Sequence, residues 1–512
     1  MEETGALAGF YAQVTNVSDF IWGGAWNGQT VLPFPPMVVA LLGVGLWMMI
    51  GLRFYPITHL ASAFVGLFKS EKEADAEGDG KAGEISPFAA LSTALSGQVG
   101  TGNLAGVATA ISLGGPGALF WMWITALIGM ALAFAEGALA IRFRERGEDG
   151  SYHGGPMTYI RRGLGKKWGW LAVLFCIGTL FSSVTTGNMI QANSVADSIS
   201  GLTGMPEWAA GLIVAAAVFA VIIGGIKSIG AIAEKVVPAM ALAYISMAVI
   251  ALALNFSDLP GAFATIFESA FNGHAAAGGF LGAGMIIAIR AGVARGLFSN
   301  EAGQGSTAIA HAVAQTNDPA RQGRFAMMGT FIDTIIICTA TGLVLLTVHG
   351  AFPHTGPDGV ETLQRHVWTS DLNGFAMTEA AYAAAFPMPV FGFPIGSLVA
   401  SVALILFVFT TLLTWSYYGE RATTFLFGEK FALPFRLVWV LMIFVGSFQE
   451  ITFVWRWGTS PTPPWPCRTC SRWPCSPRWS SPWPRATGAP ARTTTTEAGG
   501  VEPPAPAFMT AN

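Results

Sequence analysis

The chain has 512 residues, of which 52% are hydrophobic and 11% are charged, and its formal net charge is −3. A soluble domain carries about a quarter charged residues, so this chain lacks the polar surface that several globular cores would need. The charge balance excludes a nucleic-acid-binding protein, the sparse charge excludes a disordered chain, and five Cys exclude a disulfide scaffold. The composition, with 62 Gly, is typical of a polytopic membrane protein.

Charge-free stretches predict the membrane spans, because an ionised side chain at mid-bilayer costs several kcal/mol and a crossing helix needs roughly 20 apolar residues. Ten spans are predicted in chain order: 33–52, 87–113, 117–141, 168–200, 208–227, 233–255, 277–315, 323–350, 390–418 and 434–455. The chain therefore divides into an N-terminal segment (1–32), a transmembrane domain (33–455) and a tail (456–512).

Basic residues in the loops predict the orientation of the chain. Lys and Arg are concentrated in alternate loops, above all in 53–86 and 142–167, whereas the loops on the opposite side carry only Arg365. Because cytoplasmic loops are enriched in Lys and Arg, the basic side is predicted to be cytoplasmic. The N-terminus and the long loop 351–389 are then predicted to lie outside.

Two predicted spans contain sequences that cannot form plain transmembrane helices. Residues 96–106 read SGQVGTGNLAG, and residues 295–306 read RGLFSNEAGQGS. Irregular backbone at membrane depth is tolerated only where it lines a protein-walled cavity. The second segment is displaced from the first by five spans. Because five is odd, the repeat unit that contains the second segment crosses the membrane in the opposite orientation to the first unit. Paired interruptions in an inverted repeat indicate a transporter binding site, with free N–H groups for an anion and free carbonyls for a cation.

Close helix packing is the alternative explanation of the glycines in these segments. Gly102 and Gly106 are four residues apart, which is the spacing of a small-residue packing motif. One such motif alone would favour packing. Two motifs at equivalent repeat positions, with Asn103, Asn300 and Glu301 inside them, favour a binding site.

Acidic residues inside the predicted spans have two interpretations. Carboxylates at this depth carry protons in many transporters, and they also serve as structural partners of groups such as Arg290. We favour the structural role for Glu136 and Asp197, while both roles stay open for Glu301 and Asp333. The His residues are scattered at loops and span ends without the spacing of a metal site, so no metal other than a transported ion is predicted.

The composition changes abruptly after residue 456. Residues 457–512 contain 12 of the 29 Pro residues of the chain. Pro at this density excludes a transmembrane helix, since it removes backbone donors and breaks turns. The tail is either a native Pro-rich disordered segment or the product of a reading-frame slip in a GC-rich gene. We favour the slip, because apolar helix codons shifted by one base give this mixture of Trp, Pro, Arg and Ser.

Four segments together resemble the alanine or glycine:cation symporter family: Gln98–Ile111, Gly154–Met157, Arg295–Gly303 and Phe331–Thr334. The similarity runs from residue 33 to 455. It implies an all-α membrane protein with the leucine-transporter type of inverted five-helix repeat, two broken helices and one extra N-terminal helix. The repeat would begin near residue 87. The family has eleven spans, so the last helix is missing from the ten predicted here, at the point where the tail becomes aberrant.

The resemblance implies a substrate site formed by the two broken helices. The amides of Thr101 and Gly102 would bind the substrate carboxylate, and Asn300 with neighbouring carbonyls would bind the ammonium group. Gln191, on the fourth span, would reach the same cavity. The complete implied substrate set is Gly100, Thr101, Gly102, Asn103, Gln191, Ser299, Asn300 and Gly303.

A sodium site is implied in the same way. Carbonyls near Ser96 and Val99 would bind the ion together with the hydroxyls of Thr410 and Thr411 on the ninth span. Such oxygen ligands suit a hard cation. The alternative for the two Thr residues is the common one, in which helix hydroxyls bond to carbonyls of their own preceding turn.

The function that follows is sodium-coupled import of a small neutral amino acid, alanine or glycine, by alternating access in a bacterial-type plasma membrane. No cofactor is expected, and sodium is a co-substrate. A proton-coupled amino-acid carrier is the first alternative. A channel would need a pore-lining repeat, and a membrane enzyme would need a nucleophile–base set; the sequence contains neither pattern.

Overall fold

The computed structural model describes residues 24–32, 35–67, 83–147, 150–272, 281–355 and 361–449, together with positions 13, 16, 17 and 19–21. The predicted tail (456–512) lies outside the described residues, as does most of the predicted N-terminal segment. The predicted domain boundary at 455 stays a prediction, because the last described residue is Gln449.

Helices form most of the described chain. The first half contains α1 (Pro36–Gly51), α2 (Pro87–Gln98), α3 (Val107–Gly114), α4 (Gly117–Phe143), α5 (Pro156–Leu164), α6 (Gly169–Val184), α7 (Ile190–Thr203), α8 (Glu207–Ile222) and α9 (Gly225–Leu254). The second half contains α10 (Leu259–Asn272), α11 (Leu281–Asn300), α12 (Ser306–His311), α13 (Pro319–Thr330), α14 (Thr339–Thr347), α15 (Gly374–Ala385), α16 (Ile395–Phe427) and α17 (Ala432–Ser447).

Shorter elements connect these helices. Two short α-helices follow α1, at Tyr55–Thr58 and Leu60–Gly66, and single 3₁₀ turns occupy Lys166–Trp168, Phe256–Asp258, Val367–Thr369 and Glu429–Phe431. Four antiparallel two-stranded pairs are β1–β2 (Ala25–Trp26, Gln29–Thr30), β3–β4 (Glu145–Arg146, Tyr152–His153), β5–β6 (His349–Thr355, Glu361–His366) and β7–β8 (Pro389–Val390, Phe393–Pro394). Wider turns with i to i+5 hydrogen bonds lie at Gly102–Gly106, Thr185–Met189 and Phe331–Cys338.

Among the residues that the structure describes, six continuous helices are long and apolar enough to cross a membrane. They are Gly117–Phe143, Lys166–Thr203, Gly225–Leu254, Pro319–Thr347, Ile395–Phe427 and Glu429–Ser447. The apolar helices α1 and α8 are shorter, and α2–α3 and α11–α12 are interrupted. Each of the ten predicted ranges therefore contains a helix or an interrupted helix.

The first interruption follows directly from the residues around it. Helix α2 begins after Ser86, whose hydroxyl accepts a hydrogen bond from the amide of Ala89 at 3.0 Å. The helix ends because Val99 is extended, with ψ 98°. The chain then re-enters a helix through the wide turn that begins at Gly102. The backbone at Val99 and Gly100 thus lies outside regular helix in the middle of a buried span.

The second interruption depends on left-handed backbone. Helix α11 ends at Asn300, and the next residues include Glu301 with φ 55°, Gly303 with φ 86° and Gly305 with φ 80°. Glycine adopts this conformation freely, whereas a non-glycine residue is uncommon there. The six-residue helix α12 follows. Glu301 is therefore held in its conformation by its surroundings.

Close packing of small residues brings the second break against α4. An ideal Cβ on Gly129 would lie 2.9 Å from the Cβ of Ala302, and one on Gly137 would lie 2.7 Å from the Cβ of Ala326. Real Cβ atoms essentially never approach so closely, so these helices touch through glycine. The glycines of α4 therefore serve helix packing.

The loop that the sequence predicted at 351–389 contains folded structure. Its hairpin β5–β6 leads through a 3₁₀ turn to α15. The Thr378 hydroxyl on α15 donates to the Leu104 carbonyl in the first broken helix at 3.0 Å. This loop is thus fixed to the first broken helix by a buried hydrogen bond.

Candidate substrate and ion site

The two broken helices touch at their interruptions. An ideal Cβ on Gly102 would lie 3.2 Å from the Ser299 Cα and 3.3 Å from the Phe298 ring, so only glycine permits this approach without displacement. The Gln98 side-chain amide donates to the Asn300 carbonyl at 2.5 Å. The two breaks are therefore in direct contact, although Gln98 and Asn300 are 202 positions apart in the chain.

Side-chain oxygens accept hydrogen bonds from the backbone amides of the first break. The Thr101 N–H donates to Gln191 Oε1 at 3.3 Å, and the Gly100 N–H donates to Asn103 Oδ1 at 2.9 Å. Gln191 follows shortly after the wide turn Thr185–Met189. The structure thus brings Gln191 to the first break, where the resemblance had placed it.

Asp333 connects both breaks through its carboxyl group. Asn103 Nδ2 donates to Oδ1 at 2.7 Å, and the hydroxyls of Ser299 and Thr334 donate to Oδ2 at 2.8 Å and 2.7 Å. Arg290, considered as a structural partner from the sequence, instead lies 3.8 Å from Asp19. Asp333 is fully buried, so these donors replace the water that an exposed carboxylate would bind.

A cluster of neutral oxygens lies between the first break and α16. The Thr411 hydroxyl is 3.1 Å from the Val99 carbonyl and 2.9 Å from the carbonyl of Phe407, in its own preceding turn. The hydroxyls of Ser96 and Thr414 are 2.5 Å apart. Both alternatives for Thr411, contact with the break and bonding within its own helix, are therefore present together.

Thr410 faces elsewhere. Its hydroxyl donates to the Phe407 carbonyl at 3.0 Å and lies 3.7 Å from the Met240 sulfur on α9. Successive residues of a helix point about 100° apart, whereas residues three apart share a face. Thr414 therefore occupies the position beside the break that the sequence had given to Thr410.

Thr411 and Gln191 both approach the first break at Gly100. An ideal Cβ on Gly100 would lie 2.6 Å from the Thr411 hydroxyl and 3.3 Å from Gln191 Oε1. The absence of a side chain lets both oxygens reach the interrupted backbone. Gly303, by contrast, faces Leu132 and Leu41, to which an ideal Cβ would come within 3.0 Å and 3.4 Å. The structure places Gly303 apart from the oxygen cluster.

Glu301 forms a separate contact in the second break. Its carboxyl group accepts from the Ser306 hydroxyl at 2.5 Å and from the Trp415 indole N–H at 2.9 Å. Of the other acids, Glu136 is buried on α4 and Asp197 is exposed on α7. Within the described ranges, no group of three or more His, Cys, Asp or Glu side chains is arranged to hold a metal.

Sequence reasoning missed four polar residues of the site: Gln98, Thr334, Thr414 and Trp415. Thr414 could have been predicted from the sequence, since it lies three residues after Thr411 and so shares its helix face. Most buried indole N–H groups have an acceptor, but the sequence does not say which one.

The comparison with known proteins decides the family. A sequence model of the sodium:alanine symporter family matches residues 21–459. The sodium/alanine symporter AgcS of Methanococcus maripaludis is 42% identical over 453 residues, which cover 87% of this chain and 90% of AgcS. The chain belongs to the sodium:alanine symporter family. The predicted family membership is therefore confirmed.

Other similar proteins are also transporters. The amino-acid carrier protein AlsT of Bacillus subtilis is 34% identical over 452 residues, covering 88% of this chain and 86% of AlsT. A manganese transporter of Eremococcus coleocola superposes with a TM-score of 0.47 at 14% identity, over 71% of this chain and 74% of that one.

Family membership determines the class of protein. Members of the sodium:alanine symporter family are transporters and not enzymes, so the predicted class is confirmed. The chain is a multi-pass membrane protein that carries amino acids together with a cation. The predicted all-α fold class is likewise confirmed.

Proposed function

We propose that this protein imports a small neutral amino acid, alanine or glycine, by symport with sodium. One observation carries the proposal. The interrupted segment Val99–Thr101 directs a carbonyl to the Thr411 hydroxyl and an amide to Gln191. A single interruption of the helix therefore supplies donors for a carboxylate and acceptors for a cation.

The amino acid would bind between the two breaks. Its carboxylate would replace Gln191 Oε1 as the acceptor of the Thr101 N–H, with the neighbouring Gly102 N–H beside it. Its ammonium group would bind the Asn300 carbonyl, which Gln98 already approaches. The close approach of Gly102 to Ser299 supports a substrate with a small side chain. These residues support alanine or glycine as substrate.

Sodium would bind where neutral oxygens converge, beside Val99, Thr411 and Thr414. The hydroxyls of the two Thr residues donate to the carbonyls of Val99 and Thr93. A bound ion would be coordinated by the lone pairs of these same oxygens. Oxygen ligands of this kind suit a hard cation. Binding of the ion would fix α16 against the first break and so order the adjacent amides. By linkage, the substrate would then tighten sodium binding by the same factor.

The proposed setting is a bacterial-type plasma membrane with the N-terminus outside. The basic loops support this orientation, since they lie on alternate connections of the chain. AgcS of Methanococcus maripaludis, a named sodium/alanine symporter, supports the proposed pair of solutes.

Uptake of radiolabelled alanine into proteoliposomes tests the proposal. With an inward sodium gradient we expect alanine to accumulate above its external concentration, and without sodium we expect equilibration at most. Unmodified alanine is expected inside the vesicles. Accumulation that is absent under every gradient would contradict symport, and equilibration at channel-like rates would indicate a channel.

Proton coupling is the second candidate, and Asp333 is the observation that favours it. Its buried carboxyl group contacts both breaks and could gain or lose a proton as they rearrange. The same vesicles distinguish the two candidates. Alanine accumulation driven by an inward proton gradient in sodium-free buffer would show that the proton, and not sodium, is the coupling ion.

A further inference from the structure

We propose that the contact between Glu301 and Trp415 is the link that couples the ion site to the substrate site. Glu301 and Trp415 are positioning residues in this proposal, which rests on the proposed function. Neither residue is assigned to bind alanine or sodium. Their contact instead holds the second break to the helix that carries the sodium ligands.

The first part of the argument is the position of Glu301. It directly follows Asn300, whose carbonyl is the proposed ammonium acceptor, and it adopts a left-handed φ of 55°. This conformation is strained for a non-glycine residue and persists only where contacts hold it. Two contacts do so, because the carboxyl group accepts from Ser306 at the start of α12 and from Trp415 on α16.

The second part is the face of α16 that carries Trp415. Thr411, Thr414 and Trp415 lie within about one helical turn and share a face. Thr411 contacts the Val99 carbonyl, Thr414 contacts Ser96 and the Thr93 carbonyl, and Trp415 contacts Glu301. One helix face therefore contacts the first break through hydroxyls and the second break through an indole.

The geometry makes this contact a route for coupling. A sodium ion bound beside Thr411 and Thr414 fixes α16 against the first break. The bond from Trp415 then fixes Glu301, and with it Asn300, relative to the same helix. Without that bond, the position of the second break no longer depends on α16. The Gln98 contact with the Asn300 carbonyl remains, so we expect coupling to weaken and not to vanish.

The Trp415 ring is also firmly placed. It packs against Gly187 in the wide turn of the fourth span, where an ideal Cβ would lie 2.6 Å from ring atoms. It also meets the Tyr418 ring edge-on, with centroids 5.6 Å apart. Phenylalanine preserves much of this ring packing and removes the N–H donor. The substitution Trp415→Phe therefore tests the hydrogen bond to Glu301.

A matched control exists on the next helix. Trp439 on α17 is fully buried, and its indole nitrogen has no hydrogen-bond partner within the described part of the chain. Trp439→Phe removes the same atoms from a buried site without removing a hydrogen bond. The comparison of the two variants separates loss of the N–H from loss of ring volume.

The experiment measures alanine affinity of the purified full chain by calorimetry, without sodium and with saturating sodium. The ratio of the two dissociation constants is the coupling factor, which is typically about 5 to 150. We expect Trp415→Phe to reduce this factor about fivefold to tenfold, as the loss of one buried hydrogen bond does. Trp439→Phe is expected to keep it within about twofold of the unmodified chain.

Glu301→Met gives an independent test if Trp415→Phe does not fold. Methionine is of similar length but has no oxygen to accept from the Trp415 N–H, so the same loss of coupling is expected. An unchanged factor in a folded Trp415→Phe or Glu301→Met variant would overturn the inference. An equal loss in Trp439→Phe would also overturn it. No sodium effect in the unmodified chain would instead contradict the proposed function.

Discussion

At the scale of single residues, Gly102 sets the distance between the two breaks. A Cβ there would meet the Ser299 Cα at 3.2 Å, and a backbone atom cannot rotate away as a side chain can. We expect Gly102→Val to abolish alanine binding while the protein stays folded and membrane-inserted, because the branched side chain separates the breaks. Calorimetry on the purified variant measures the binding.

Gly43→Val is the control for this change. Gly43 also lies on a membrane helix, but a Cβ there would have no heavy atom within 4 Å. It should leave both folding and alanine affinity as they are. Unaltered alanine affinity in Gly102→Val would show that the substrate does not bind between the breaks.

The hydroxyl face of α16 gives a second prediction for single residues. Thr411 contacts Val99, whereas Thr410 points to Met240. We expect Thr411→Val to raise the sodium concentration needed for half-maximal uptake by about tenfold or more, the cost of one lost ligand of about 1.4 kcal/mol. Thr410→Val should raise it less. The double change Thr410→Ala with Thr411→Ala should raise the half-maximal sodium concentration about as much as the change at Thr411 does.

Sodium activation curves at a fixed alanine concentration measure these changes, with expression checked by immunoblot. If Thr411→Val retained full sodium dependence, the ion would bind elsewhere. Asp333 would then be the next group to examine as a proton carrier, by uptake in sodium-free buffer.

At the scale of elements, the hairpin β5–β6 contains a pair of histidines at its base. The rings of His349 and His366 are 4.8 Å apart, and His349 lies 3.2 Å from the Asp258 carboxylate. Partial burial, with smaller contributions from His349 and Arg365, lowers the pKa of the His366 imidazole below its ordinary value. Folding of this region therefore opposes protonation of His366.

Acidification is expected to loosen this hairpin. Since the pKa of His366 is lower in the folded state, the unfolded segment binds more protons below a pH of about 6.5. The contribution to stability is therefore complete above that pH and declines as the pH falls. Hydrogen exchange of residues 349–366 at pH about 7.5 and about 5.5 measures the change. His366→Phe should remove this pH dependence, and persistence of the dependence would assign it to another group.

The elements differ in how well the sequence predicts them. The spans follow from the absence of charge, a local property, and each predicted range contains a helix. The hairpin and α15 were predicted only as a loop. The buried residues of this segment, such as Phe352, Met377 and Val367 in the connecting 3₁₀ turn, are spread among polar residues. Burial of these side chains depends on the broken helix beneath them, which local periodicity does not report.

At the scale of the whole molecule, the tail yields the remaining prediction. Ten spans with an external N-terminus leave the C-terminus outside, whereas eleven would leave it inside. We expect a one-base shift near codon 456 to restore an apolar helix of about 20 residues followed by a basic cytoplasmic end. Resequencing the gene tests whether the reading frame shifts at this position. A confirmed frame, with no apolar helix in the alternative frame, would make the Pro-rich tail native.

The sequence by itself determined the membrane class, the positions of the spans and the two interruptions. Each depends on residues that are near neighbours in the chain, because charge, glycine and proline act on the backbone locally. Family membership was also readable from contiguous motifs, and the comparisons confirm it. The sequence left open whether the motif glycines serve packing or binding, because it does not show which residues they contact; in the structure Gly102 approaches Ser299.

Only the tertiary structure decided which side chains meet. It selected Thr414 beside Thr411, gave Asp333 its donors from both breaks, and brought Trp415 to Glu301. These contacts join residues that are often more than 100 positions apart, as between Trp415 and Glu301. Their formation depends on the rotation of each helix about its axis, which packing against all neighbouring helices sets and which no single helix sequence contains.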